Sequence, residues 1–116
     1  MKKEFFPSPM HPEAKHNYTA DFTELLAALG DGTDLLTGVP VVTVVGTLPP
    51  GLLIAGESLV TGNKKVQWNV DIDTPSHADD TYTSGGVTVC FQVNVSTVAG
   101  DNVVQQAELK ITDRCE

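Results

Sequence analysis

The residues that could bind a metal are few and widely spaced along the chain. His11 and His16 lie five residues apart in a proline-containing segment, and His77 stands far from both. No His-x-x-His or Cys-x-x-Cys pattern occurs, although such short spacings are what place two zinc ligands together. We therefore expect no zinc site in this chain.

Aspartates cluster around His77 in a polar segment. They are Asp71, Asp73, Asp79 and Asp80. Carboxylate oxygens are the ligands that Ca²⁺ takes in proteins, so a calcium site is one interpretation of this segment. The spacing of an EF-hand loop is missing, as are its glycine and its closing glutamate. We favour a solvated acidic loop and leave a calcium site between Asp71 and Asp80 open.

The patterns of nucleophilic and phosphate-transferring enzymes are also missing. The segment from Thr83 to Gly86 reads Thr-Ser-Gly-Gly, whereas a catalytic serine on a strained turn is typically held in Gly-x-Ser-x-Gly. It predicts a turn that leads into a strand. Neither Gly-x-Gly-x-x-Gly nor a Walker pattern occurs. We expect no enzymatic activity, no catalytic residues and no cofactor.

The charge balance argues against two classes of partner. Fifteen acidic and seven basic residues give a formal net charge of −8, which opposes binding to nucleic acid and to an anionic membrane surface. No segment approaches the roughly 20 apolar residues that span a membrane. The first residues lack the apolar region of a signal peptide.

The element around which the chain is organised is a hairpin from Gly85 to Thr112. Apolar and polar residues alternate with a period of two in both halves, which is typical of strands with one buried face. The apolar positions are Val87, Val89, Phe91, Val93, Val95, Ala107, Leu109 and Ile111. Gly100-Asp101-Asn102 tolerates the backbone angles of the turn. Such a hairpin needs a second sheet to cover its apolar face.

The two cysteines are expected to remain free thiols. If Val95 lies opposite Val103, then Cys90 faces Glu108 and Cys115 lies several residues beyond it. At roughly 3.4 Å per strand residue, the two sulfur atoms are too far apart to bond.

The remaining elements are predicted from local patterns. Asp21 with Glu24 predicts the start of a helix, which Gly30 and Gly32 end after about two turns. Pro40 makes its strand an edge strand or a broken one. The alternation of Trp68 with Val66 and Val70 favours core packing for its side chain. Strands are predicted over 17–20, 35–45, 52–55, 57–60 and 66–71, and a surface loop over 73–83.

These elements predict an all-β fold: an immunoglobulin-like antiparallel β-sandwich with an extended N-terminal arm and one short α-helix. The arm covers residues 1–17, which contain three prolines, and the sandwich domain covers 18–116. Phe5 and Phe6 are the only phenylalanines of the arm. The arm either folds back onto its own domain or docks onto a neighbouring molecule.

Five short segments towards the two ends of the chain form a familiar set: Asn17-Tyr18-Thr19-Ala20-Asp21-Phe22, Gly30-Asp31-Gly32-Thr33, Gly85-Gly86, Thr97-Val98-Ala99-Gly100 and Leu109-Lys110-Ile111-Thr112-Asp113-Arg114. In these segments both ends of the chain resemble a family of small tailed-bacteriophage virion proteins, described as fibre–tail adaptor-like or as small immunoglobulin-like structural proteins. Phe22 stands where the family usually has tryptophan.

The resemblance implies a structural virion protein that links fibres to the tail or neck, in multiple symmetric copies and with other phage structural proteins as partners. Its place would be the virion, assembled in the cytoplasm of the bacterial host. We expect Phe5 and Phe6 to be the anchors that bind a partner, because buried aromatic side chains tend to dominate interface energies.

Two alternatives remain open. A capsid decoration or cement protein of the phage head, bound to the major capsid protein, would use the same fold and the same acidic surface. A carbohydrate-binding adhesion module would need exposed aromatic side chains, and its candidates are Trp68, Tyr18 and Tyr82.

Overall fold

The computed structural model describes residues 3–5 and 10–112, with only the backbone described for 3–5. These residues form seven strands, two short α-helices and one turn of 3₁₀ helix, Thr74–Ser76. The strands are β1 Lys3–Phe5, β2 His16–Asp21, β3 Leu36–Val45, β4 Leu52–Leu59, β5 Lys65–Ile72, β6 Val87–Thr97 and β7 Asn102–Ile111. The helices are α1 Thr23–Ala27 and α2 Asp80–Thr83.

The strands form two sheets that pack face to face. One sheet has the order β1-β7-β6-β3 and the other has the order β2-β5-β4. All pairs are antiparallel except β1 with β7, which is parallel. The predicted all-β sandwich is therefore confirmed at the level of two packed sheets.

The hairpin of β6 and β7 has the predicted register. Val95 lies opposite Val103, and Cys90 lies opposite Glu108. Phe91, on the predicted apolar face, is fully buried. The period-two pattern identified the core face because a strand sends successive side chains to opposite faces of its sheet.

The core lies between the central strands of the two sheets. Trp68 of β5 and Phe91 of β6 are fully buried and meet edge to face, with ring centroids 5.5 Å apart and an interplanar angle of 62°. Gln105 of β7 is also fully buried, and its Nε2 donates a hydrogen bond of 2.9 Å to the Asp21 carbonyl at the end of β2. This bond joins the two sheets through a polar group in the core.

Strand β3 is the edge strand that Pro40 predicted. It pairs with β6 on one side only, and its register shifts between Thr37 and Val41. The three residues between those positions lie opposite Val95 alone, with Gly38 at φ +79°. A proline at a bulge on a sheet edge costs no hydrogen bond within the sheet.

The prediction of two separate strands over 52–55 and 57–60 is wrong, because the structure has the single strand β4 there. Its register against β5 shifts between Ala55 and Ser58. Gly56 lies between them at φ +68°. The glycine therefore produces a bulge in a continuous strand and does not end the strand.

The helices differ from the prediction in number and length. The expected helix, α1, has five residues and ends at Ala27, well before Gly30. The Asp21 carboxylate accepts a hydrogen bond of 2.9 Å from the Thr23 N–H. The prediction of only one helix is wrong, because the predicted surface loop contains a second helix, α2. The Asp79 carboxylate caps α2 by accepting a hydrogen bond of 2.9 Å from the Thr81 N–H.

The predicted arm lies along its own domain where the structure describes it. Lys3 to Phe5 pair with β7. Met10 is fully buried; its N–H donates to the Lys110 carbonyl at 2.8 Å, and its carbonyl accepts from the Thr112 N–H at 3.0 Å. Residues 3–5 and 10 therefore fold back onto their own domain, which is the first of the two alternatives for the arm. The division of the chain at residue 17 stays a prediction.

Candidate functional site

The predicted anchors lie at one edge of the four-stranded sheet or outside the described residues. Phe5 ends β1, with its backbone opposite Glu108 of β7. Phe6 lies outside the described residues, as does Cys115. The role of both phenylalanines therefore stays a prediction.

The acidic segment around His77 holds local structure together. Asp79 caps α2, and the Nε2 of His77 lies 2.7 Å from the Ile72 carbonyl oxygen. Within residues 3–5 and 10–112, no group of three or more His, Cys, Asp and Glu side chains could hold a metal ion. The candidate calcium ligands do not form such a group; they are Asp71, Asp73, Asp79 and Asp80.

The aromatic residues that a carbohydrate would need are turned inward. Trp68 and Tyr82 are fully buried, and Tyr18 is half-buried. The Tyr82 hydroxyl donates to the Pro50 carbonyl. Burial, with a smaller effect from Asp79 and then Asp73, raises the pKa of Tyr82 to about 12. Burial alone raises the pKa of Tyr18 to about 12. Neither tyrosine ionises near neutral pH.

A shallow groove of about 380 Å³ lies where the loop before β3 meets the turn between β6 and β7. Its lining consists of Asp31, Thr33, Asp34, Leu35, Val98 and Ala99. The Asp34 carboxylate accepts hydrogen bonds from the N–H groups of Leu35 and Ala99, at 2.9 and 3.2 Å. Asp34 therefore fastens the loop to the turn.

The pKa of Asp34 reflects this role. Desolvation alone would raise the pKa, and the nearby charge of Asp31 raises it too. The hydrogen bonds from the Thr97 side chain and from the two backbone N–H groups outweigh both effects, so the pKa of Asp34 lies below its ordinary value of 3.8. The charged form is the one that the folded chain favours.

We expect Asp34 to make the stability of the protein depend on pH in the acidic range. A lowered pKa in the folded chain stabilises the fold above pH 3.8, and this contribution is lost as the pH falls through the lowered value. Asp34→Asn should therefore lower the melting temperature at neutral pH and converge with the wild type at low pH. Thermal unfolding followed from neutral pH to about pH 2 measures this. A difference between the two proteins that stays constant over that range would contradict it.

Exposed apolar side chains occur on two neighbouring edge strands and on the loop that connects them. Edge strands β3 and β4 belong to different sheets but lie against each other. These two strands and their connection carry five large apolar residues with 46–82% of their surface exposed. We call them the edge strip: Val39, Val41, Val45, Leu48 and Leu53. Val41 and Val45 lie on the same face of β3, and an unpaired edge strand of this kind can accept another strand.

The edge strip lies in a stretch of chain without charge. Residues 35–56 contain no Asp, Glu, Lys, Arg or His, although the chain as a whole carries a net charge of −8. Pro40 predicted the edge strand, but no signal in the sequence predicted its exposed valines. The lack of charge is not such a signal, because residues 81–100 also lack charge and contain the central strand β6.

In the described part of the chain, none of the helices has the length and apolar character that crossing a membrane requires. Comparisons with protein-family models, with curated proteins and with solved structures found no match to this chain.

Proposed function

We propose that the chain is a structural virion protein of a tailed bacteriophage that links fibres to the tail or neck. The observation that carries the proposal is the edge strip: exposed apolar side chains on two edge strands of a chain whose net charge is −8. The resemblance of both chain ends to the fibre–tail adaptor-like proteins supports the same role. The protein acts as a connecting element and carries out no chemistry.

The connection uses the two edges of the four-stranded sheet. Strand β3 offers one edge and the edge strip beside it, while β1 with Phe5 forms the opposite edge. Open edges bind extended segments through backbone hydrogen bonds, and apolar side chains add affinity when they are buried. In this arrangement Phe5 and Phe6 anchor one partner, and β3 contacts another.

The burial of the aromatic side chains favours this role over carbohydrate binding. A sugar ring stacks on an exposed aromatic face, whereas Trp68 and Tyr82 are fully buried. A decoration protein of the phage head would use the same surface and differs in copy number.

Quantitative mass spectrometry of purified virions of the phage that carries this sequence tests the proposal. We expect a copy number close to that of the portal protein. A copy number close to that of the major capsid protein would make the chain a decoration protein. Absence from the particles would overturn both roles.

The same measurement tests the anchors. We expect Phe5→Ala combined with Phe6→Ala to remove most copies from the particle, because truncation of aromatic anchors costs about 2 kcal/mol or more each. Val98→Ala is the matched control, since Val98 is an exposed apolar residue outside the arm and the edge strip. Unchanged copy number in the double variant would exclude Phe5 and Phe6 as anchors.

A further inference from the structure

The arm contacts the edge of β7 at two places. Lys3 to Phe5 pair in parallel with residues 106–108. Further along the same edge, Met10 lies opposite Ile111 in a second parallel contact. The two backbone hydrogen bonds of Met10 reach the residues on either side of Ile111. Both contacts therefore continue the four-stranded sheet on the same side of β7.

The two contacts differ in what stabilises them. The side chain of Met10 is fully buried as part of the core, and full burial of an apolar side chain of this size stabilises a fold strongly. The β1 contact is a single short strand in parallel pairing, which is the less stable kind per residue. Pro12 is also buried, but it has no backbone N–H to donate to the sheet. Met10 is therefore the main attachment of the arm.

We propose that Met10 is a positioning residue, which holds β1 on β7 and so keeps the proposed anchors, Phe5 and Phe6, at this edge of the sheet. Without Met10, the next paired element after Phe5 is β2, which begins at His16 in the other sheet. Three paired residues alone do not offset the conformational entropy that the arm loses when it becomes ordered. A short strand tethered beside a buried residue loses much less, because its effective concentration at the edge is high.

An arm that is already ordered binds a partner more tightly than a free one. A partner that captures a free arm must order it, and that loss of entropy lowers the affinity. An arm held by Met10 has lost this freedom before the partner arrives. The same hold covers the edge of β7, which protects it from pairing with unrelated strands. The effect on the anchors rests on the proposed function, whereas the hold on β1 is a property of the isolated chain.

Exchange of single backbone amides with solvent detects the hold on β1 directly. In a strand, the N–H groups of residues two apart point to the same side. Because the Thr112 N–H bonds to Met10, the Glu108 N–H points toward β1, with which Glu108 pairs. The N–H of Leu109 points the other way, toward β6. Exchange at Glu108 therefore reports on the arm, and exchange at Leu109 reports on the hairpin of β6 and β7.

Met10→Ala in the full chain tests the hold. We expect hydrogen–deuterium exchange, followed by NMR, to be about tenfold or more faster at Glu108 than in the wild type, with a much smaller change at Leu109. Met10→Leu nearly keeps the side-chain volume and should behave like the wild type. Leu26→Ala truncates another fully buried side chain, on α1, and should not accelerate Glu108 selectively. Unchanged exchange at Glu108 in Met10→Ala, or an equal increase at both amides, would overturn the proposal.

Copy number in purified virions tests the effect on the anchors. Met10→Ala retains Phe5 and Phe6 but should lower the copy number about threefold or more, because the partner must then order the arm. Met10→Leu and Leu26→Ala should keep the wild-type number. A Met10→Ala chain that releases its arm and still reaches that number would overturn the positioning of the anchors. Absence of the wild type from the particles would refute the proposed function, and with it the effect on the anchors, but not the hold on β1.

Discussion

Replacing Trp68 by alanine is expected to lower the free energy of unfolding by about 3–5 kcal/mol, as is usual when a buried aromatic side chain is truncated in a core. Trp68 is fully buried on β5, the central strand of its sheet. Its ring meets Phe91 of the other sheet edge to face at 5.5 Å. The substitution therefore leaves a cavity between the two sheets and removes an aromatic contact that joins them.

Urea denaturation of the purified chain measures this loss. Trp68→Phe should cost clearly less, because it keeps a ring against Phe91 and leaves a smaller cavity. Leu48→Ala is the surface control: Leu48 is 59% exposed, so its truncation should change stability by no more than about 0.5 kcal/mol. If Trp68→Ala were as stable as Leu48→Ala, the central place of Trp68 in the core would be refuted.

The position of Trp68 could be predicted because its cause is local. A residue in phase with Val66 and Val70 shares their face of the strand, whatever the strand pairs with. The register of the hairpin followed in the same way from a short turn and two alternating strands, and Val95 does lie opposite Val103. Local patterns fix these features because a one-residue shift would expose every buried side chain.

Features that depend on distant pairing could not be predicted. The parallel pairing of β1 with β7 joins residues about 100 positions apart in the chain, and nothing in residues 3–5 encodes the partner. Helix α2 was missed because its four residues are too few for a periodic pattern. Its Asp79 cap and the burial of Tyr82 stabilise it in the folded chain.

The edge strip was predicted in part. Pro40 placed β3 at an edge, since a central strand cannot lose a backbone donor. A run of valines, however, is typical of a strand buried on both faces. Only the structure shows that Val41 and Val45 face outward while Val42 faces the core. The lack of charge over residues 35–56 is consistent with either arrangement.

Gly86→Ala is expected to have the second large effect. Gly86 has φ +84°, a backbone conformation that side chains with a Cβ rarely adopt. A Cβ at this position would lie 2.6 Å from the Ile111 carbonyl oxygen and 2.6 Å from the Thr112 Cβ. Backbone strain costs about 1–3 kcal/mol and crowding costs a similar amount, so we expect a loss of about 2–6 kcal/mol.

Gly46→Ala separates the two contributions, because Gly46 has nearly the same φ, +88°, but nothing lies within 4 Å of a Cβ built there. It should lose only the strain component, about 1–3 kcal/mol. The difference between the two variants in urea denaturation then measures how tightly the start of β6 packs on the end of β7. That junction closes the sandwich, since Val87 pairs with Ile111 and Met10 also bonds to the backbone of Thr112. Equal losses in the two variants would mean that the chain relaxes around a side chain at position 86, and that this junction is looser than the structure indicates.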